Sequence, residues 1–216
     1  MTPTRSFPQY TLLEQAADVC VHAAGILFGI AGSALLLHEA LGRLSTGTLA
    51  SCIVYCAGLL GMFAASAAYN VVRNPNRKEM LRSLDHAAIF IMIAGSYTPF
   101  AIAVRGPAGF SVLAAVWAIA AAGIAIKLRF PRRFEKLAIL IYLSQGWLVL
   151  FAFKPIAALL TDQALGLLLA GGIVYTVGVP FHLMEWVPFH NAIWHLFVLA
   201  GAVCQFAAIR ETVFHP

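Results

Sequence analysis

Long stretches without a fixed charge dominate this sequence and limit how the chain can fold. The segment from Val19 to Leu37 contains no Asp, Glu, Lys or Arg. As an α-helix it would extend roughly 28 Å, close to the thickness of the hydrocarbon core of a bilayer. Six further stretches pass the same test, which places predicted spans at about 19–37, 49–72, 87–104, 108–126, 137–153, 164–181 and 191–209. We therefore predict an all-α fold, in which residues 1–216 form a single domain of seven transmembrane helices.

Composition supports a membrane protein, because charged residues make up 11% of the chain against roughly 25% in soluble domains. The net charge of +5 comes from cations in the short connections between apolar stretches. We interpret these cations as orientation signals rather than as a nucleic-acid surface. The expected partner is therefore the lipid bilayer, with a possible lipid ligand or substrate and no nucleic acid.

The cations also predict which side of the membrane each terminus occupies. Two connections hold most of them, namely Arg73, Arg77, Lys78 and Arg82 after span two, and Lys127, Arg129, Arg132, Arg133 and Lys136 after span four. The opposite side has Arg43, Arg105, Lys154 and Arg210. Because cation-rich connections stay in the cytoplasm, we expect the N-terminus inside and the C-terminus outside.

Small residues and thiols inside the apolar stretches are predicted to pack rather than react. Glycines in spans one and six, Gly25, Gly29, Gly32, Gly171 and Gly172, would allow close helix contact. The four cysteines, Cys20, Cys52, Cys56 and Cys204, all fall within spans, where a thiol behaves as a small buried apolar group. We therefore expect no disulfide framework.

Polar side chains at membrane depth are costly, so their positions are the most informative part of the sequence. Three sets recur four residues apart on a helix, namely Glu14, Asp18 and His22; Ser66 and Asn70; and Asn191 and His195. Asp85 and His86 begin span three, and His182 and Glu185 follow the end of span six. With the N-terminus inside, every one lies at the cytoplasmic end of its helix. The opposite ends have only His38, Glu39 and Asp162. The pattern predicts one polar chamber near the cytoplasmic face.

Seven spans also suggest a retinal protein, but the last span has no Lys for a Schiff base. The residues instead resemble the hemolysin III family, bacterial relatives of the progestin and adipoQ receptors and, more remotely, of alkaline ceramidases. The segment LDHAAIFIMIAGSYTPF from Leu84 is similar to the family's Asp-His and Ala-Gly-x-Tyr-Thr-Pro motif. The first helix from Glu14 and the segment NAIWHLFVLAGAVCQF from Asn191 resemble its other motifs. The resemblance covers the whole chain and implies a multi-pass protein of the bacterial inner membrane.

The resemblance implies a zinc site built from Ser-x₃-His in span two, an Asp opening span three and His-x₃-His in span seven. This sequence has Asn70 and Asn191 at two of those imidazole positions, so that only His195 remains. An amide oxygen is a poor zinc ligand. We expect no tightly bound cofactor, with zinc possible in a weakened or rearranged site. His195 and Asp85 are its candidate ligands, and His182, His22 or His86 could enter a rearranged site, although structural hydrogen bonding is the favoured role of these three.

Several functions remain open from the sequence. The preferred one is a non-catalytic or weakly catalytic membrane protein in lipid homeostasis or receptor-like signalling, in which Asn70 and Asn191 hydrogen-bond His195 and Asp85. An alternative is a metal-dependent hydrolase of lipid amides or esters, with Ser66, Asp85 and His195 as candidate catalytic residues. The polar chamber would be completed by His22, Asn70, His86, His182 and Asn191. The family name further suggests a cytolysin, and the histidines suggest a proton relay, although the apolar external half offers no continuous path.

Overall fold

The structure is a computed structural model that describes residues 10–104 and 106–215, apart from the side chain of Ala152. Within this part of the chain all regular structure is helical. The α-helices are α1 (Leu12–Ala40), α2 (Thr46–Val71), α3 (Pro75–Val104), α4 (Gly106–Arg129), α5 (Glu135–Gly146), α6 (Phe153–Ala157), α7 (Asp162–Leu183) and α8 (His190–Phe214). A 3₁₀ segment, Trp147–Ala152, joins α5 to α6. The predicted all-α class is confirmed.

Polar residues in the connections set where the helices start. The Thr11 hydroxyl accepts a hydrogen bond from the Glu14 amide at 3.3 Å, and the Glu14 carboxylate accepts one from the Thr11 amide at 2.8 Å. This reciprocal pair satisfies amides that have no partner inside α1. Ser45 caps α2 and Thr161 caps α7 through the same kind of side-chain acceptor.

Six helices of the described chain, α1 to α4, α7 and α8, are long and apolar enough to cross a membrane. The predicted fifth span, residues 137–153, coincides with α5, the 3₁₀ segment and the first residue of α6. The chain is thus an integral multi-pass membrane protein. The count of seven and the side of each terminus stay predictions, and Arg105 and residues 1–9 lie outside the described part.

The described helices extend well beyond the predicted apolar spans. Helix α3 begins at Pro75 and α4 ends at Arg129, because the helical hydrogen-bond ladder continues where the charges begin. The prediction that Lys127 lies in a connection is therefore wrong. It occupies the last turn of α4, and only 1% of its side-chain surface is exposed.

Close helix packing relies on small residues, as predicted. A Cβ added at Gly25 would lie 2.7 Å from the Phe63 ring, and one at Gly171 would lie 2.7 Å from the Gln205 side chain. These positions bring α1 against α2 and α7 against α8. All four cysteines are free, and Cys52 and Cys56 are buried as expected, whereas Cys20 is exposed on α1.

Apolar side chains on the outside of the bundle complete the membrane character of the fold. Leu27, Phe110 and Leu140 are each more than half exposed. A water-soluble protein seldom exposes such a surface continuously, whereas lipid solvates it. Polar groups are instead drawn to the interior at one end of the bundle.

Candidate functional site

Five helices bring their polar residues to one end of the bundle, around a cavity of about 790 Å³. The side chains that line it include every member of the predicted chamber and the predicted catalytic candidates: His22, Ser66, Asn70, Asp85, His86, His182, Asn191 and His195. They come from the start of α1, the end of α2, the start of α3, the end of α7 and the start of α8. Helices that alternate in direction place these ends side by side.

Asp18 organises the two central histidines. Its carboxylate Oδ1 lies 2.6 Å from Nδ1 of His195, and its backbone oxygen lies 2.8 Å from Nδ1 of His22. A carboxylate and a carbonyl only accept hydrogen bonds, so we assign the proton of each neutral ring to Nδ1. Each Nε2 then carries a free lone pair. Asp18 itself is buried and lies outside the cavity wall.

Ser66 lies between the two free nitrogens. Its Oγ is 3.1 Å from Nε2 of His22 and 3.5 Å from Nε2 of His195. The two imidazole rings meet edge to face with their centroids 4.3 Å apart. The Asp85 carboxyl also interacts with the Ser66 hydroxyl. Two imidazoles, a hydroxyl and a carboxyl thus converge on one point of the cavity wall.

The two amides that replace the family's histidines bond differently from the sequence expectation. Asn70 Nδ2 donates to the Ser66 backbone oxygen at 3.0 Å and lies 3.4 Å from Nε2 of His22. Asn191 Nδ2 donates to Asn70 Oδ1 at 3.3 Å. The expected partners were His195 and Asp85. The difference arises because Asn70 lies one helical turn after Ser66, so its side-chain amide reaches the Ser66 backbone oxygen.

His86 and His182 line the cavity away from this point. The His86 backbone oxygen accepts a hydrogen bond from the Tyr142 hydroxyl at 2.9 Å. The His182 ring packs on Trp194 with 5.1 Å between centroids. Both belong to the chamber wall, whereas His22, Ser66, Asp85 and His195 form its reactive point.

Two residues of the observed cluster were missing from the predicted candidates. Asp18 belonged to the polar pattern that predicted the chamber but was not named as a chamber-lining, catalytic or ligand residue, although its four-residue spacing from His22 was the available signal. Tyr10 also lines the cavity, and burial raises the pKa of its phenol, which stays neutral. The Glu14 carboxylate accepts a hydrogen bond from the Phe189 amide at 3.0 Å, which fixes the start of α1 against the start of α8.

The cavity changes character with depth. Cations and polar groups surround the reactive point, and mainly apolar side chains line the rest, among them Met62, Ile93, Phe100, Leu143, Val149 and Val198, together with the polar Ser96, Thr176 and Gln205. The arrangement suits an amphipathic molecule whose polar group reaches Ser66.

Comparison with known proteins gives the family. A profile described as "Haemolysin-III related" matches residues 10–206. The chain belongs to the haemolysin III family. It is 38% identical over 197 residues to "Hemolysin-3" of Bacillus cereus, covering 91% of this chain and 90% of that protein. It is 35% identical over 201 residues to "Hemolysin-3 homolog" of Bacillus subtilis, covering 93% and 94%.

The haemolysin III family has eukaryotic relatives that this chain also matches. The human "Monocyte to macrophage differentiation factor" is 29% identical over 218 residues, covering 94% of this chain and 86% of that protein. The match extends over nearly all the membrane helices. No solved structure matches the chain.

The zinc site that the haemolysin III pattern implies can be compared with the donors present. Asp18, His22 and His195 each place a possible ligand atom within 4.8 Å of the other two. The 2.6 Å contact of Asp18 with Nδ1 of His195 is a hydrogen bond of the kind that orients a metal-ligating imidazole from behind. His22 thus supplies a second imidazole that the sequence pattern did not count. Two imidazoles through Nε2 are donors that fit zinc. Among the described residues, the carboxylate grouped with them within 4.8 Å is that of Asp18, and Asp85 lies outside this group.

Proposed function

We propose that this haemolysin III protein is a metal-dependent membrane hydrolase that cleaves an ester or amide bond of an amphipathic lipid. One observation carries the proposal. The Nε2 atoms of His22 and His195 face the same point of a 790 Å³ cavity, with the Ser66 hydroxyl between them. Paired neutral imidazoles at a cavity wall are ligands for zinc, and an apolar cavity of this size accommodates an acyl chain.

His22 and His195 would hold the ion, and Asp18 is a positioning residue. A bound zinc ion would supply Lewis-acid polarisation of the substrate carbonyl and a more acidic water. The chain's own residues orient the reactants. Ser66 donates a hydrogen bond toward the reacting carbonyl, while the Asp85 carboxylate accepts a proton from the attacking water. Asp18 keeps His195 in the tautomer that presents Nε2.

The same atoms favour a second candidate function, acyl transfer without a metal. Asp18, His195 and Ser66 form a chain in which the carboxylate contacts Nδ1 at 2.6 Å and Nε2 lies 3.5 Å from the hydroxyl. This is the relation of acid, base and nucleophile in serine hydrolases. Ser66 Oγ would bond the carbonyl carbon as its proton passes to His195. His195 would return that proton to the leaving alcohol or amine, and water would release the acyl group.

Purified protein separates these functions. Metal content is measured by mass spectrometry, and hydrolysis is followed with a fluorogenic long-chain ester and a matched amide, before and after chelation. We expect about one zinc ion per chain and chelator-sensitive hydrolysis, both lost in His22→Ala and His195→Ala. Asp85→Asn should lose hydrolysis and retain the zinc. His38→Ala is the matched control, because His38 is an exposed histidine near the other end of α1.

A fluorophosphonate probe distinguishes the second candidate. Labelling of Ser66 together with chelator-insensitive hydrolysis would replace the metal proposal by acyl transfer. Absence of metal, labelling and hydrolysis would refute both. The protein would then be the non-catalytic, receptor-like member of the family that the two Asn replacements suggest.

The proposed arrangement in the membrane is seven crossings with the N-terminus in the cytoplasm of a bacterial inner membrane. Helix α5, the 3₁₀ segment and α6 together would extend about 37 Å, enough for one crossing. Alkaline phosphatase fused at the C-terminus should be active, and green fluorescent protein fused there should be dark. Fusions after Lys136 should give the reverse. A fluorescent C-terminal fusion would refute the odd number of crossings.

A further inference from the structure

One buried cation on the cavity wall has no partner that explains its position. Lys127 is 1% exposed, and its Nζ has no hydrogen-bond partner within the described part of the chain. It lines the same cavity as the reactive point. An ammonium group away from water is costly unless it is paired or hydrogen-bonded.

The neighbouring charges do not compensate Lys127. Arg82 and Glu135 are the charged groups that act on it, one repelling and one attracting. Glu135 already pairs with Arg82, whose guanidinium also donates to the Pro131 backbone oxygen at 3.1 Å. One carboxylate therefore serves two cations. Among the described residues that line the cavity, five are Lys or Arg and three are Asp or Glu.

Lys127 shares its cavity and one charged neighbour with the reactive point. Arg82 acts electrostatically on Lys127 and also on Asp85. Both cations line the cavity that the site residues line. A negative group held by Lys127 and Arg82 would thus occupy the same cavity as the reactive point.

We propose that Lys127 and Arg82 form a subsite for an anionic oxygen group, phosphate or carboxylate, on the amphipathic lipid whose chain fills the apolar part of the cavity. The subsite rests on the proposed function for its substrate and names that substrate's class as an anionic lipid. Lys127 supplies a point charge and Arg82 supplies directed N–H donors, the usual pair of means by which proteins hold such oxygens. Binding of the anion supplies the partner that the buried ammonium lacks.

Equilibrium binding tests the subsite without requiring turnover. Labelled 1-oleoyl-lysophosphatidate is bound to the full-length protein in nonionic detergent, and monooleoylglycerol serves as the uncharged comparator. Lys127→Met should weaken lysophosphatidate binding at least tenfold and leave monooleoylglycerol binding unchanged. Lys127→Arg should retain most of the binding. Lys154→Met is the matched control, because Lys154 is an exposed lysine outside the cavity wall.

The competing outcomes are distinct. Unchanged lysophosphatidate binding in Lys127→Met, or an equal loss for both lipids, would overturn the subsite. Competition by inorganic phosphate as effective as that by unlabelled lysophosphatidate would assign the site to a free anion rather than a lipid. If Lys127-dependent binding is found with no hydrolysis of any lipid, the subsite stands and the proposed hydrolase alone fails. If neutral and anionic esters are hydrolysed equally well, the hydrolase stands and the subsite fails.

Discussion

Replacement of Tyr97 by Phe should destabilise the protein through the break between α5 and the 3₁₀ segment. The Tyr97 hydroxyl donates to the Gly146 backbone oxygen at 2.5 Å and accepts from the Val149 amide at 2.8 Å. Gly146 and Val149 are three residues apart, which is the spacing of the first turn of the 3₁₀ segment. The phenol therefore bonds both backbone groups at the point where the helix changes type.

The magnitude follows from what the substitution leaves behind. The phenylalanine ring would fill nearly the same volume as the tyrosine ring, so the loss is that of the hydroxyl. A buried amide without a partner costs about 1–3 kcal/mol, and Val149 is 4% exposed. We expect Tyr97→Phe to lower the free energy of unfolding by about 2 kcal/mol. The measurement is equilibrium unfolding in mixed micelles, followed by tryptophan fluorescence.

Tyr142→Phe is the matched control for this experiment. Tyr142 is a second, partly buried tyrosine whose hydroxyl donates once, to the His86 backbone oxygen at 2.9 Å. Its removal leaves no orphaned amide and should cost about 0.5–1 kcal/mol. If Tyr97→Phe costs no more than this control, the Val149 amide is satisfied without the phenol, and the reasoning is refuted.

Three further outcomes are expected from the structure. Gly123→Ala would place a Cβ 2.2 Å from the Phe90 ring and should destabilise the protein by about 1–3 kcal/mol. Gly61→Ala is the control and should not destabilise it, because a Cβ there would have nothing within 4 Å. Thermal unfolding of the two variants measures the difference. Asp18→Asn should weaken zinc affinity by about tenfold without abolishing it, because the amide oxygen still accepts from Nδ1 of His195; competitive metal titration measures this. Chelation should lower the unfolding temperature of the parent but not of His22→Ala, and an equal decrease in both would place the metal elsewhere.

The sequence predicted the helices well and their interruption poorly. Charge-free stretches locate α1 to α4, α7 and α8, because membrane insertion selects for apolar composition alone. The same composition continues through residues 137–153, where the helix changes type. At that change a hydroxyl from another helix, that of Tyr97, bonds the backbone, and no local pattern in α5 records this contact.

The site was predicted as a location and not as a geometry. Four-residue spacing placed Asp18 and His22 on one face of α1, but which face meets α8 depends on how α1 is rotated. Contacts such as Gly25 on Phe63 fix that rotation. Counting donors by family position left only His195, whereas the fold brings His22 within hydrogen-bonding range of the same Ser66 hydroxyl. Residue spacing within one helix cannot predict a set of ligands that comes from helices far apart in the sequence.

Lys127 shows why the sequence alone does not distinguish a cation in a connection between helices from a cation in the wall of the cavity. Positive connections orient the bundle, and Lys127 stands next to several of them in the chain. The helix continues past the apolar stretch by nearly one turn, and that turn directs the lysine inward rather than to water. A cation that serves only orientation would gain by extending to the membrane surface, as lysine side chains readily do. Its retention in the wall of the cavity that Arg82 and Asp85 also line therefore argues for a bound anion, and it links the charge pattern of the chain to its polar chamber.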